Sequence, residues 1–263
     1  MKRLFTFICI ILLTQESPGQ VYTDIKQLLD AGIDINNYPP QDLLSLGIGN
    51  CDLELIKSAI AKGADINYRE EINGQYPLCS AINYAGNAIL PDEESIIASQ
   101  IRDYGAAVFS GRSVSDLRRD YIEIIRFLLQ KGAKATYITW DFGFDEPPLL
   151  LAAQNRDIEI IKLLLDFKAD PNSRDASGST ALHILGMPIG FHYPYKNSPE
   201  IAKLLISKGA KMTKIPLTGE TPLAGVKETL RVIEDSASPW KDYSFYNELV
   251  NSLKNLIDIY SKL

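Results

Sequence analysis

Apolar residues recur along the chain at helical spacing in five phrases of similar wording. They read TDIKQLLDAGIDIN (23–36), DLELIKSAIAKGADIN (52–67), YIEIIRFLLQKGAKAT (121–136), DIEIIKLLLDFKADPN (157–172) and PEIAKLLISKGAKMT (199–213). In each, Ile, Leu and Ala fall three and four apart, so each predicts an amphipathic helix of about three turns. Four of the helices stop at Gly32, Gly63, Gly132 and Gly209, where a left-handed closing residue costs glycine little. The fourth phrase stops at Lys168, which must adopt that backbone at some cost or end its helix differently.

A second set of shorter apolar segments alternates with these. It comprises DLLSLGIGN (42–50), YPLCSAINYAG (76–86), PPLLLAAQN (147–155), TALHIL (180–185) and TPLAGVKETL (221–230). Asp42, Thr180 and Thr221 suit the N-cap, and Pro77, Pro148 and Pro222 suit the first helical position. The unit is therefore a short helix, a turn, a longer helix, a glycine and a polar turn such as DASGS (175–179). No single unit can bury its apolar face, and isolated three-turn helices are marginal in water, so neighbouring pairs must stack.

DIEIIKLLLDFKADPNSRDASGSTALH (157–183) resembles the ankyrin repeat, with its E-I-V-K-L-L-L, G-A-D-x-N and G-x-T-P-L-H pattern. It departs at Lys168 for Gly and at Ala181 for Pro. The family period is about 33 residues, and the resemblance extends with gaps from residue 22 to 263. It implies an all-α, ankyrin-type helical repeat solenoid with short β-hairpin fingers and insertions between the two helices of several repeats. The expected order is a half repeat at 20–36, repeats at 37–67, 68–136, 137–172 and 173–213, and a divergent last repeat at 214–263.

Departures from the period are concentrated at one position. The two helices start nine residues apart from Asp42 to Cys51 and from Pro147 to Arg156. From Tyr76 the second helix is delayed to Asp120 by an insertion at 86–119, and from Thr180 to Asn197 by one at 186–197. In the last repeat EDSASPWKDYSF precedes the second helix. All three interrupt the turn between the helices, so stacking would line them along one edge, and such insertions often mark a binding face. Within the first, EESIIASQIRDYG reads as a capped helix at 93–105, and SVSDLRRDYIEIIRFLLQ as one long helix from about Ser113 to Gln130.

Aromatic residues populate these departures. Phe191, His192, Tyr193 and Tyr195 lie in the second insertion, and Trp240, Tyr243 and Phe245 in the third. The finger AKATYITWDFGFDE, longer than its neighbours, carries Tyr137, Trp140, Phe142 and Phe144. Since aromatics anchor interfaces, Tyr137, Trp140, Phe142, Phe144, Phe191, Tyr193, Tyr195 and Trp240 are the expected partner contacts. The competing reading has the inserted aromatics folded down over helix ends.

The first nineteen residues change the picture of the compartment. Lys2 and Arg3, the apolar run Leu4–Leu13 and Ser17-Pro18-Gly19 have the layout of a secretory signal peptide cleaved after Gly19. Without them the chain has 25 basic and 32 acidic side chains, a formal charge of −7. That surface offers no footing for nucleic acid or anionic lipid. A periplasmic or secreted monomer with a protein partner is the expectation.

Chemistry is sparse. The sequence contains no H-E-x-x-H, G-x-S-x-G, phosphate loop or C-x-x-C, and the expectation is a non-enzyme with no metal and no cofactor. Cys79 and His183 occupy equivalent positions two repeats apart, too far for a catalytic pair. Cys51 and Cys79 belong to opposite ends of their helices, beyond the reach of a disulfide, and predict two buried thiols. His183 reads as a structural histidine bonded to Thr180. An alternative is an enzyme or ligand binder whose insertions form a pocket around His192, Tyr193, Asp235 and Asp242.

Overall fold

The computed structural model describes residues 34, 37–69, 75–87, 113–136, 146–188, 195–235 and 238–263. The expected signal peptide (1–19), the half repeat apart from Asp34, the expected helix at 93–105 and the finger residues 137–145 lie outside them. The chain divides into two compact units, one holding the described residues up to Ala64 and the other those from Asp65 onward.

The first unit contains α1 (Pro40–Gly49) and α2 (Leu53–Ala61). The Asp42 start is corrected: α1 begins two residues earlier, with Pro39 at the cap and Pro40 at the first helical position. Proline's fixed φ is already helical there and its missing N–H would be unbonded in any case. Asp52 caps α2 by accepting a hydrogen bond from Leu55 N at 2.9 Å. Leu43, Leu44 and Ile48 are buried in α1, as are Ile56 and Ala59 in α2. The helices approach so closely at Gly47 that a Cβ there would lie 2.8 Å from Ile56 Cγ1.

The second unit stacks α3 (Pro77–Asn87), α4 (Val114–Gln130), α5 (Pro148–Gln154), α6 (Ile158–Asp166), α7 (Ala181–Ile184), α8 (Ser198–Ser207), α9 (Pro222–Glu234) and α10 (Tyr246–Tyr260). The elongated helix α4 has the expected extent, capped by Ser113 Oγ accepting from Asp116 N at 3.1 Å. Its Leu117, Tyr121, Ile124, Ile125 and Leu128 are buried on one stripe. Arg118 joins α4 to the start of α6 by pairing with Asp157 at 3.0 Å and Glu159 at 3.1 Å.

The glycine and lysine stops have a common geometry. Gly63, Gly132 and Gly209 have φ near +95°, and Lys168 has φ +64°. In each case the N–H of the residue after the left-handed one closes back on a carbonyl five residues earlier: Ala64 on Ala59, Ala133 on Leu128, Ala169 on Leu164, Ala210 on Leu205. Lys168 therefore takes the strained option, at a cost of about 1 kcal/mol.

Among the described residues there is no strand, so the expected β-hairpins are not seen as such. The described fingers are turns closed by few bonds, Asp175 N to Ser179 O (3.1 Å) and Ile215 N to Glu220 O (2.8 Å). Side chains do the coupling between fingers. Asn67 donates to Gly132 O (3.1 Å) and accepts from Lys134 N (2.9 Å). Asn172 repeats this with Gly209 O (3.0 Å) and Lys211 N (2.8 Å). Thr136, one repeat before Asn172, accepts from Asp170 N at 3.1 Å. Asn172→Ala is expected to lower stability by about 1 kcal/mol, read as a fall in the urea midpoint; an unchanged midpoint would refute the coupling.

The last pair has 13 residues in α9 and 15 in α10. Its outer face carries exposed Asn247, Asn251, Lys254, Asn255 and Asp258, a polar covering of the kind that closes a repeat stack. Its inner face sends Tyr260 Oη to Leu182 O at 2.9 Å and Ser252 Oγ to Tyr195 O at 2.7 Å.

Candidate functional site

The second and third insertions meet. The end of the second forms a single 3-10 turn at Tyr195–Asn197 that runs straight into α8. The third forms another at Pro239–Asp242, placed just before α10. Tyr195 stacks on Phe245 with ring centroids 5.9 Å apart, and Phe245 stacks on Tyr243 at 5.4 Å. Trp240 lies 6.0 Å from Tyr243 and edge-on to Phe245 at 6.2 Å. These spacings suit attractive aromatic pairs. Glu248, in the first turn of α10, accepts from Lys196 N at 3.1 Å and fixes the two turns together.

This row of rings runs from the interior to the surface. Tyr195 is 1% exposed, whereas Tyr243 is 41% exposed, with Trp240 and Phe245 intermediate. At the inner end Arg156 lies 4.4 Å over the Tyr195 ring. Arg156 is 0% exposed and occupies the turn between α5 and α6 with φ +52°. Its guanidinium donates to Gln154 O (2.8 Å), Met187 O (2.7 Å) and Ser198 Oγ (3.2 Å), and its own carbonyl accepts from Asn197 Nδ2 (3.1 Å). One arginine thus holds both flanks of the second insertion. A planar fork with five donors does what a lysine's point charge cannot.

Of the eight expected contact residues, Tyr137, Trp140, Phe142, Phe144, Phe191 and Tyr193 lie outside the described residues. Tyr195 is a correction: its ring packs between Arg156 and Phe245, which places it inside the fold rather than on a contact surface. Trp240 stands at the partly exposed end of the row. Arg156 escaped the sequence reading. The available signal was Asn155-Arg156 at the same turn as Asn50-Cys51, where Cys51 also has positive φ, +54°. A non-glycine held left-handed twice at one position implies a side chain worth keeping. Leu217, at the tip of the last described finger, was likewise missed and is 91% exposed.

The remaining chemistry is structural where it is described. His183 is buried; its Nδ1 receives Thr180 N at 3.1 Å and lies 2.9 Å from Thr180 Oγ1, as expected. Cys51 and Cys79 are buried thiols, and Cys79 Sγ lies 3.8 Å from Glu146 O. Burial holds the Glu146 carboxyl above its usual range, against the lowering effect of the Gln154 bond, while Asp175 adds to the rise. Among the described residues no group of His, Cys, Asp and Glu could hold a metal ion. Asp235 and Asp242 are exposed, and His192 and Tyr193 lie outside the described residues. No described helix is long and apolar enough to cross a membrane.

The family model for ankyrin repeats in three copies matches residues 114–215. An ankyrin repeat protein of Acanthamoeba polyphaga mimivirus is 27% identical over 133 residues, 49% of this chain and 16% of the relative. A second from that virus is 31% identical over 104 residues, 39% of this chain and 16% of its own length. One from Fowlpox virus is 30% identical over 115 residues, 40% of this chain and 21% of its own length. The chain therefore spans about a sixth to a fifth of the relatives it matches. Capped helix pairs, left-handed stops and an inter-finger ladder recur through the matched region, and residues 114–215 form a run of ankyrin repeats.

Proposed function

We propose that this protein is a non-enzymatic interaction module that holds a protein partner along the edge where its insertions meet. Ankyrin repeats are in general protein–protein interaction modules. The observation that carries the placement is the row of rings ending at Trp240 and Tyr243, built from two insertions and anchored at its base by Arg156. Partly exposed aromatics on a rigid base lose little entropy on binding. By the sequence pattern we assign partner contact also to Phe191 and Tyr193 of the second insertion and to Tyr137, Trp140, Phe142 and Phe144 of the long finger.

The layout of residues 1–19 supports export to the periplasm or the medium. The acidic body suits a basic partner, and an inhibitor or immunity-type role accounts for charge and compartment together. Affinity capture from the native envelope fraction or medium tests the surface. Trp240→Ala/Tyr243→Ala is expected to retain at least about tenfold less of the partner than wild type. Lys203→Glu, at an exposed position of α8, is expected to retain it fully. Equal retention by the aromatic variant and wild type would mean that the partner is held elsewhere than on the row of rings.

A further inference from the structure

We propose that the one-turn helix α7 is an acid-sensitive latch that docks the C-terminal pair α9–α10 on the repeat before it. Two polar ties to that pair leave from α7. His183 Nε2 lies 3.4 Å from Glu220 O, just ahead of α9, and Leu182 O receives Tyr260 Oη of α10 at 2.9 Å. A third contact adjoins the helix: Gly186 packs so tightly on Val226 of α9 that a Cβ would lie 2.4 Å from Val226 Cγ2. With four residues, α7 has few helical bonds of its own, Ile184 N to Thr180 O and Leu185 N to Ala181 O. Its shape depends on its cap.

That cap requires a neutral imidazole. Thr180 N–H donates to Nδ1, so Nδ1 carries the lone pair and Nε2 carries the hydrogen that points to Glu220 O. A second proton would sit on Nδ1. It could turn toward Thr180 Oγ1, but Thr180 N–H would then be left against a like dipole at a residue 1% exposed. A buried donor that loses its acceptor is costly. The charged groups facing His183 are Glu220 from the finger before α9 and Asp175 and Arg174 from the preceding finger.

Burial lowers the His183 pKa from its ordinary value. The bond to Glu220 O and the two carboxylates oppose that change, and Arg174 assists it. With the folded value lowered, the unfolded chain binds the proton more readily. The stabilisation is complete above the ordinary histidine value and is lost as pH falls through the window below it. Glu146, whose value is raised, has the opposite sign: its cost is greatest at neutral pH and is relieved as pH falls. It cannot account for an acid-induced loss.

Hydrogen exchange of residues 246–260 in the full chain tests the latch without any partner. Between about pH 7.5 and about pH 5, protection corrected for intrinsic exchange is expected to fall about threefold or more. His183→Gln, whose amide oxygen can take the Thr180 N–H, is expected to show no such fall, and His192→Gln is expected to behave as wild type. Tyr260→Phe is expected to have lower protection at both pH values and to keep the acid response. An equal acid response in His183→Gln, or none in wild type, overturns the latch. Nitrogen NMR of wild type near neutral pH gives an independent check, since an Nδ1–H tautomer at His183 would also overturn it. Tyr195 and Phe245 come from opposite sides of this junction, so acid would also spread the aromatic row; that consequence rests on the proposed contact surface, whereas the exchange measurement does not.

Discussion

Arg156→Ala is expected to destabilise the repeat stack by about 4 kcal/mol, a large part of a typical domain's stability. The substitution leaves Gln154 O, Met187 O and Ser198 Oγ without their donor, and Ser198 is 0% exposed. Each such loss costs about 1 kcal/mol or more, and the stacking on Tyr195 adds about 1 kcal/mol. Alanine keeps the positive φ and so recovers none of the backbone strain. Arg156→Lys keeps charge and stem but not the fork, and is expected to lose about 2 kcal/mol. Urea unfolding followed by circular dichroism separates these outcomes. A loss below about 1 kcal/mol for alanine would mean that the insertion is held by something other than this clamp.

Gly186→Ala is the second large effect, at about 2–3 kcal/mol. The added methyl enters the space of Val226 Cγ2, and Val226 is buried with a stiff β-branched side chain that has no room to turn. Val226→Ala alone is expected to cost about 2 kcal/mol through the cavity it opens. Combined, the two changes are expected to cost less than their sum by more than about 1 kcal/mol, because the new methyl fills part of that cavity. Strict additivity would show that the two residues do not share the contact.

The repeat was readable because its signals are local. Gly63, Gly132 and Gly209 turn the chain so that the alanine after each bonds a carbonyl five residues back, and the Asn at the end of GADIN and KADPN reaches only the next finger. His183 was legible for the same reason, since its partner Thr180 is three residues away. Asp42 misled because its side chain suits a cap, whereas the fixed φ of Pro40 starts the helix earlier. The fingers differed because their backbones are too short to pair along a ladder, and asparagine side chains take that role.

The candidate site was less legible, and the reason is distance along the chain. Sequence reading could align the insertions on one edge, since they interrupt the same turn, but it could not rank their aromatics. Tyr195 and Trp240 look alike in the sequence; one is buried beneath Arg156 and the other stands at the surface. Helix pairs, their stops and their stacking order follow from residues within one or two repeats of each other, and the amino-acid order was sufficient for them. The inward Tyr195, the outward Tyr243 and the buried Arg156 arise from contacts across 39 to 50 positions, between Arg156 and Tyr195 and between Tyr195 and Phe245. Such contacts depend on how neighbouring repeats pack, and no periodicity within a single repeat encodes them.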